Sequence, residues 1–465
     1  MPGTRWSEGR GGGQLAVAGT KLTDIVFRTP SVDEKPAMNL QAPSTTDSRA
    51  RPQPFTFYPP NSNGLVTWLV QMGIRSSIRR KLRVTEIEIS DEDLERLRQF
   101  KGERCLVTPS HSGGFEPHII MYLSKLLGDS YNYVAAMELF QQSRINRLLM
   151  PRMGVYSIIR GSVDRPSFSM TRKLLAAGKR WLVIFPEGET VWQNSVVMPF
   201  QQGVIQLAFK GYEDAKKEDD QASLYCIPIA IKYVYLRDMH DEIDASLARL
   251  ESKLAIGDGP SQQTRHARLR RVVEAVVAAN EKTHGVHPAP DSDLSDRAEN
   301  LKLYAICQLE QQLGLTATEK QTLLDRIRSL FNAVDRIVHE EPSGSEYEQQ
   351  LVVQRQQLAR KYYDELWQLL QFVALHDGYV GESMTFERFL DVLCLLEMEV
   401  CKERKVWGPR KACVKVGQPI DLKDHASAYA ADKRGTVHDI TLGLETSVRS
   451  MLKELEAGCA SVTDA

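Results

Sequence analysis

Residues 105–117 read Cys-Leu-Val-Thr-Pro-Ser-His-Ser-Gly-Gly-Phe-Glu-Pro. The first five, Cys105–Pro109, form a short apolar run that is typical of a buried strand. Small residues follow, and Glu116 with Pro117 indicates the first turn of a helix. Proline is tolerated there because the backbone amides of a first turn have no hydrogen-bond partner within the helix. This stretch therefore predicts a strand, a tight loop and a helix, which is the repeating unit of an α/β fold.

The same alternation extends over residues 103–236. The further strand candidates are Tyr131–Ala135, Val155–Ile159, Trp181–Phe185 and Leu224–Tyr235. Helical runs separate them at about 117–127, 140–150, 165–177 and 202–209. A last strand at 412–416 and a closing helix at 436–455 return to this pattern. The sequence thus predicts an α/β sandwich around a mixed sheet.

The chain before this region divides into two parts. Residues 1–60 are rich in Gly, Pro, Ser and Thr, which predicts a disordered leader. Residues 61–83 predict an amphipathic basic helix, because an apolar stripe at helical spacing precedes five cations. The stripe is Leu65, Trp68, Leu69 and Met72, and the cations are Arg75, Arg79, Arg80, Lys81 and Arg83. Either the helix lies on an anionic membrane surface, or it packs on the domain with a solvated basic end.

Strand signals disappear between residues 239 and 405, where long segments of period 3.6 predict a large all-helical insertion. The α/β domain accordingly comprises residues 84–238 and 406–457, followed by a tail at 458–465. Because the ends of an insertion must leave the host fold close together, we expect the helices to begin and end near one edge of the sheet. Their own apolar stripes predict a separate small core.

Composition excludes several classes of protein. The 465 residues carry a net charge of −1, so no overall field attracts nucleic acid, and no nucleic-acid partner is expected. Seven scattered cysteines include no C-x-x-C pair, and no residues have metal-ligand spacing, so we expect no bound metal. No run approaches the roughly 20 apolar residues that span a bilayer. We expect a cytoplasmic protein, either soluble or lying on a membrane surface.

Three short motifs could carry chemistry. His111 and Glu116 can meet across a turn, and the carboxylate would fix the tautomer of a general base; the alternative is a structural hydrogen bond. Glu187 follows a buried strand within Phe-Pro-Glu-Gly, at the sheet edge where α/β proteins bind ligands, although such turns are common. Arg160 reaches the same edge and suits a phosphate or carboxylate, unless it forms a surface ion pair.

In this order the motifs resemble those of the glycerolipid acyltransferase family, typified by 1-acylglycerol-3-phosphate (lysophosphatidate) acyltransferases. His111 and Glu116 match its His and acid separated by four positions, and Gly154 to Arg160 match its apolar strand ending in Arg. Phe185 to Gly188 match its Phe-Pro-Glu-Gly block without a change. The apolar residues 227–231, which include a proline, match its fourth block. The resemblance covers about residues 84–236 and 407–457.

The resemblance implies an acyltransferase that moves a fatty acyl group from acyl-CoA or acyl carrier protein to a hydroxyl of a glycerolipid or lysophospholipid. It also implies that His111, oriented by Glu116, acts as the general base. The backbone amides near Gly113 and Gly114 would stabilise the oxyanion. The acceptor would be positioned by Arg160, Glu187 and Gly188. No cofactor is expected beyond the acyl co-substrate, and the protein is expected on the cytoplasmic membrane face.

The sequence departs from the family pattern in three places. Glu116 replaces the usual Asp, and Met137 stands where Lys is common. Glu189 stands where Thr is usual, and nearby Val191 lies where the family often has Arg or Ser. An extra anion beside a phosphate site is unfavourable, so an acceptor without phosphate is one alternative. A non-catalytic lipid- or protein-binding adaptor on the same fold is another.

Overall fold

The computed structural model describes residues 57–160, 164–257, 263–318, 321–338, 340, 344–374 and 384–462. Its strands form one eight-stranded sheet. They are β1 (Val84–Ile89), β2 (Cys105–Pro109), β3 (Asn132–Ala136), β4 (Val155–Ile158), β5 (Leu182–Val183), β6 (Tyr225–Tyr235), β7 (Arg410–Val416) and β8 (Ile420–Asp421). The order is β1-β7-β6-β2-β5-β3-β4, and β8 pairs with β6. Because β6 runs antiparallel to β7 and β8 while the other pairs are parallel, the predicted mixed sheet is confirmed.

Helices cover both faces of this sheet. Before β6 they are α1 (Gly64–Leu82), α2 (Asp91–Gln99), α3 (Glu116–Leu126), α4 (Met137–Gln141), α5 (Arg144–Arg152), α6 (Arg165–Ala177) and α7 (Gln202–Glu218). Between β6 and β7 lie α8 (His240–Lys253), α9 (Arg265–His284), α10 (Leu294–Leu313), α11 (Leu323–Val338), α12 (Glu346–Ala374) and α13 (Phe386–Cys401). The chain closes with α14 (Ala426–Ala431) and α15 (Lys433–Glu456).

Several predicted elements differ in their bounds. The single helix predicted at 140–150 is two helices, because Ser143 ends α4 and caps α5, accepting a hydrogen bond from the Asn146 amide at 3.0 Å. The closing segment holds two strands and two helices rather than one of each. The alternation of charged residues with Val and Ile in β1 is a strand signal that the sequence-based prediction did not use.

The N-terminal segment packs on the domain from residue 57, while the rest of the predicted leader lies outside the described residues. The Tyr58 amide donates to Ser157 Oγ at 2.9 Å, and the Tyr58 ring stacks on Phe140 with centroids 5.1 Å apart. The side chains of Phe57 and Tyr58 are half-buried, so the last residues of the predicted leader contact the folded domain. Phe57 packs against the core on the other face of the sheet.

Helix α1 presents two apolar faces. Val70, Ile74 and Ile78 are buried in the core beneath the helix. The predicted stripe points away from this core, and its members are exposed, from 44% for Leu69 to 66% for Leu65. Among the described residues, no helix combines the length and apolar character needed to cross a bilayer.

The inserted helices leave the sheet and return to it at one point. Tyr235 in β6 pairs with Arg410 in β7, so the two ends of the insertion are adjacent, as its attachment requires. The core of these helices is not theirs alone, because it includes Val191, Val196 and Met198 from the loop after β5. It also includes Val462 of the predicted tail, which donates a backbone hydrogen bond to Met384 at 2.7 Å. The insertion is thus packed into the domain rather than appended to it.

Candidate functional site

The site is built on two loops that leave neighbouring strands. β2 and β5 are parallel and adjacent, so the loops after them emerge side by side at the carboxyl edge of the sheet. We call residues 110–115 the histidine loop and residues 186–200 the Glu187 loop. The backbone amide of His111 donates to Glu187 Oε1 at 2.6 Å, and that of Met198 donates to Oε2 at 2.7 Å. The buried carboxylate of Glu187 therefore ties the two loops together.

His111 and Glu116 form a hydrogen-bonded pair, with 2.9 Å between Nδ1 and Oε2. Glu116 lies in the first turn of α3 and has no exposed surface. Its other oxygen accepts hydrogen bonds from the Gly113 amide at 2.9 Å and the Tyr233 hydroxyl at 3.2 Å. With Nδ1 held by the carboxylate, Nε2 is the ring nitrogen left for proton transfer, a tautomer inferred from these partners.

The environment of Glu116 favours its ionised form. Burial alone would raise the pKa of this carboxyl, but the hydrogen bond and charge of His111, with the Gly113 amide, outweigh burial and lower it. An ionised carboxylate at this position can stabilise a protonated His111 ring. Phe185 stacks on one face of that ring, with centroids 4.2 Å apart, and so fixes its plane.

Glu187 and Gly188 determine the shape of the Glu187 loop. Burial raises the pKa of Glu187 to about 7, even though its two backbone partners and His111 oppose the shift. Both carboxylate oxygens accept hydrogen bonds from main-chain amides, so Glu187 holds the loop in place, and its predicted contact with an acceptor stays a prediction. Gly188 has φ +80°, and a Cβ there would collide with the Gln201 side chain. Its role is to allow the turn.

The two loop glycines predicted to stabilise an oxyanion differ in their surroundings. The Gly113 amide already donates to Glu116, so it is not the donor expected for an oxyanion. Gly114 has φ +78°, a conformation that glycine adopts without strain. Stabilisation of an oxyanion by the Gly114 end of the loop therefore stays a prediction.

Arg160 lies at the end of β4 among carboxylates. Its Nη1 is 2.5 Å from Glu189 Oε1, and its Nη2 is 3.8 Å from Glu138 Oε2. Burial opposes the charge of Arg160, but Glu189, Glu138 and Asp335 together raise its pKa. Burial also raises the pKa of Glu189 against the effect of Arg160. The guanidinium predicted to meet an acceptor phosphate is therefore already paired within the protein.

Sequence reasoning missed two residues of this site. Glu138 is the second residue after β3, and its position near a strand end was a signal that could have identified it. Tyr233 lies in β6, 117 residues from Glu116, and nothing in its local sequence indicates that its hydroxyl meets the dyad.

The comparisons with known proteins concern the segment that carries these residues. The family model described as acyltransferase matches residues 86–232. This range includes His111, Glu116, Arg160 and Glu187. No curated protein matches the chain.

We expect Glu187→Gln to alter the pH dependence of stability. Because the pKa of Glu187 is raised from 4.5 to about 7, the stability that it contributes is full below its unfolded pKa and is lost as the pH rises through about 7. A tenfold change in a protonation equilibrium corresponds to about 1.4 kcal/mol. Urea unfolding of the wild type should therefore show a fall in stability over this range that the Gln variant lacks. The exposed control Glu95→Gln should retain the fall, and identical profiles for all three proteins would contradict this assignment.

Proposed function

Residues 86–232 form an acyltransferase domain of the glycerolipid acyltransferase family, and from this premise we propose that the protein acylates a hydroxyl of a glycerolipid or lysophospholipid. The acyl donor is a thioester, either acyl-CoA or acyl carrier protein. The observation that carries the proposal is the hydrogen bond between His111 Nδ1 and the buried Glu116 carboxylate. This arrangement supplies an oriented general base beside a loop that can receive an acyl group.

The reaction needs no covalent enzyme intermediate. Nε2 of His111 takes the proton of the acceptor hydroxyl as its oxygen attacks the thioester carbonyl. Glu116 stays ionised and stabilises the imidazolium that forms. The tetrahedral oxyanion accepts hydrogen bonds at the Gly114 end of the histidine loop. When the carbon–sulfur bond breaks, the leaving thiolate takes the proton back from His111, and the ester is released.

We expect His111→Ala to reduce acyl transfer by roughly 10²–10⁴-fold, the usual cost of losing a general base. Glu116→Ala should lose most activity because the ring is no longer oriented, whereas Glu116→Asp should retain much of it. Turnover is measured with acyl-CoA and acyl carrier protein as donors and a panel of lysolipids as acceptors. His438→Ala, on the exposed side of α15, is the matched control.

Two results of this experiment would count against the proposal. Wild-type turnover in His111→Ala would show that the mechanism is wrong. A wild-type protein that transfers no acyl group to any acceptor in the panel would favour a non-catalytic adaptor on the same fold.

A second candidate within this function is transfer to an acceptor that has no phosphate. The pairing of Arg160 with Glu189 favours it, because a phosphate would have to displace a carboxylate already 2.5 Å from the guanidinium. Glu138 adds a second negative charge 3.8 Å from the same group. An uncharged headgroup avoids this repulsion.

We expect Glu189→Thr to increase the preference for lysophosphatidate over monoacylglycerol by roughly 10-fold or more, since a hydrogen bond to a charged group contributes about 1.5–3 kcal/mol. The measurement is the ratio of kcat/KM for the two acceptors. Glu189→Asp, which keeps the charge, should keep the wild-type ratio. An unchanged ratio of kcat/KM in Glu189→Thr would show that Arg160 does not bind the headgroup of the acceptor.

The lipid acceptor and the exposed stripe of α1 support peripheral association with an anionic, cytoplasmic membrane face. Helix α1 contacts helix α5, whose Ile145 and Leu148 are 42% and 53% exposed. Exposed arginines flank both apolar groups, at Arg75, Arg79 and Arg80 on α1 and at Arg144 and Arg147 on α5. Apolar burial and attraction to anionic headgroups then act on the same surface.

We expect flotation with phosphatidylserine-containing vesicles that weakens as salt rises. Combining Arg75→Gln, Arg79→Gln and Arg80→Gln should reduce binding, because each cation contributes about 1 kcal/mol near an anionic surface. Combining Lys210→Gln, Lys216→Gln and Lys217→Gln on the exposed side of α7 is the matched control. Equal flotation of the two triple variants would contradict this surface.

A further inference from the structure

The Glu187 loop is covered by the inserted helices. Val191, Val196 and Met198 lie in the core that these helices form. The backbone amide of Asn194 donates a hydrogen bond to the Asp391 carboxylate of α13 at 2.6 Å. The Trp192 ring stacks on Trp367 of α12, with centroids 5.8 Å apart. The outer side of this loop is therefore shaped by a part of the chain that the acyltransferase match does not include.

Arg404, three residues beyond α13, contacts both loops of the site. Its Nη2 donates to the Gly113 carbonyl at 3.2 Å. Its guanidinium carbon lies 4.1 Å from the centroid of the Trp192 ring and 5.1 Å from that of the Phe115 ring. Trp192 has φ +48°, a left-handed conformation that favours glycine, so its surroundings must hold it. A single side chain thus joins the histidine loop to the Glu187 loop.

Arg328 makes the corresponding contact from α11. Its Nη2 donates to the Glu187 carbonyl at 3.4 Å and also to the Pro199 carbonyl. These carbonyls stand near the two ends of the Glu187 loop, so one guanidinium closes the loop. Both side chains are half-buried, and desolvation lowers the pKa of Arg328 and of Arg404.

We propose that Arg328 and Arg404 are positioning residues, through which the inserted helices set the geometry of the His111–Glu116 pair. This rests on the proposed acyl transfer. Gly113, held by Arg404 through its carbonyl, donates its amide to Glu116 at 2.9 Å. Glu187, held by Arg328 through its carbonyl, accepts the His111 amide at 2.6 Å. Neither arginine contacts the reacting atoms. Each contacts a residue that itself forms a hydrogen bond with a member of the His111–Glu116 pair.

The test compares Arg404→Ala and Arg328→Ala with controls on the same elements. Lys402→Ala removes a cation that is 64% exposed at the end of α13, and Arg336→Ala removes an exposed one on α11. Hydrogen–deuterium exchange of the full-length variants reads the loops without any substrate. We expect faster exchange over residues 111–115 in Arg404→Ala and over 187–199 in Arg328→Ala, with wild-type exchange in the sheet strands.

Kinetics supply the second measurement. We expect Arg404→Ala to lower kcat by about 10²-fold, the cost of a small misplacement of catalytic groups, with an unchanged KM for the acyl donor. Arg328→Ala should lower kcat and also raise the KM for the acceptor, because the loop that Arg328 holds carries Glu189, the partner of Arg160. Arg404→Lys should recover part of kcat, because it restores a donor to Gly113 but not the planar contact with Trp192. Because a loss of folded protein would also lower the apparent kcat without changing KM, kcat is expressed per folded protein, and wild-type exchange in the sheet strands must accompany its fall.

The outcomes separate the two proposals. A wild-type protein without transferase activity would overturn the proposed function, and exchange would still decide whether the arginines hold the loops. An active wild type with loop exchange and kinetics in Arg404→Ala and Arg328→Ala equal to those of Lys402→Ala and Arg336→Ala would overturn the positioning role. Faster exchange across the whole sheet would also overturn it, because that result would indicate a stability effect alone.

Discussion

The buried charge of Glu116 is the constraint on which the site depends. A carboxylate without exposed surface is costly unless hydrogen bonds and an opposite charge satisfy it. The Gly113 amide, the Tyr233 hydroxyl and the His111 ring do so from the histidine loop and from β6. Because these donors must converge on one carboxylate, the loop has one shape that satisfies it. A segment of small residues thereby holds His111 in a defined orientation.

The parallel strands then place the other charged groups in a row. β2, β5, β3 and β4 are successive neighbours in the sheet, and their carboxyl ends deliver His111, Glu187 with Glu189, Glu138 and Arg160 in that order. His111 thus lies at one end of the row, and the charge-balanced Arg160 lies at the other. His111 and Arg160 are therefore delivered by strands that are not neighbours, because β5 and β3 lie between β2 and β4.

The inserted helices complete this arrangement from the outside. Their attachment through the paired residues Tyr235 and Arg410 would allow a loosely joined module, yet they share a hydrophobic core with the Glu187 loop. A loop of 15 residues that contains no helix or strand needs packing partners to hold one conformation. The insertion provides those partners, and its arginines reach the carbonyls of Gly113 and Glu187.

The sequence by itself determined the α/β class, the bounds of β2 and the pairing of His111 with Glu116. These features are local, since a five-residue separation lets one turn of backbone bring the partners together. Only the tertiary structure decided that Glu187 points inward to an amide 76 residues away, that Arg160 is neutralised by Glu189, and that Arg404 reaches Gly113 across 291 residues. Local sequence sets backbone propensity and the burial of one face, whereas the partner of a buried charge depends on which distant elements the packing brings beside it.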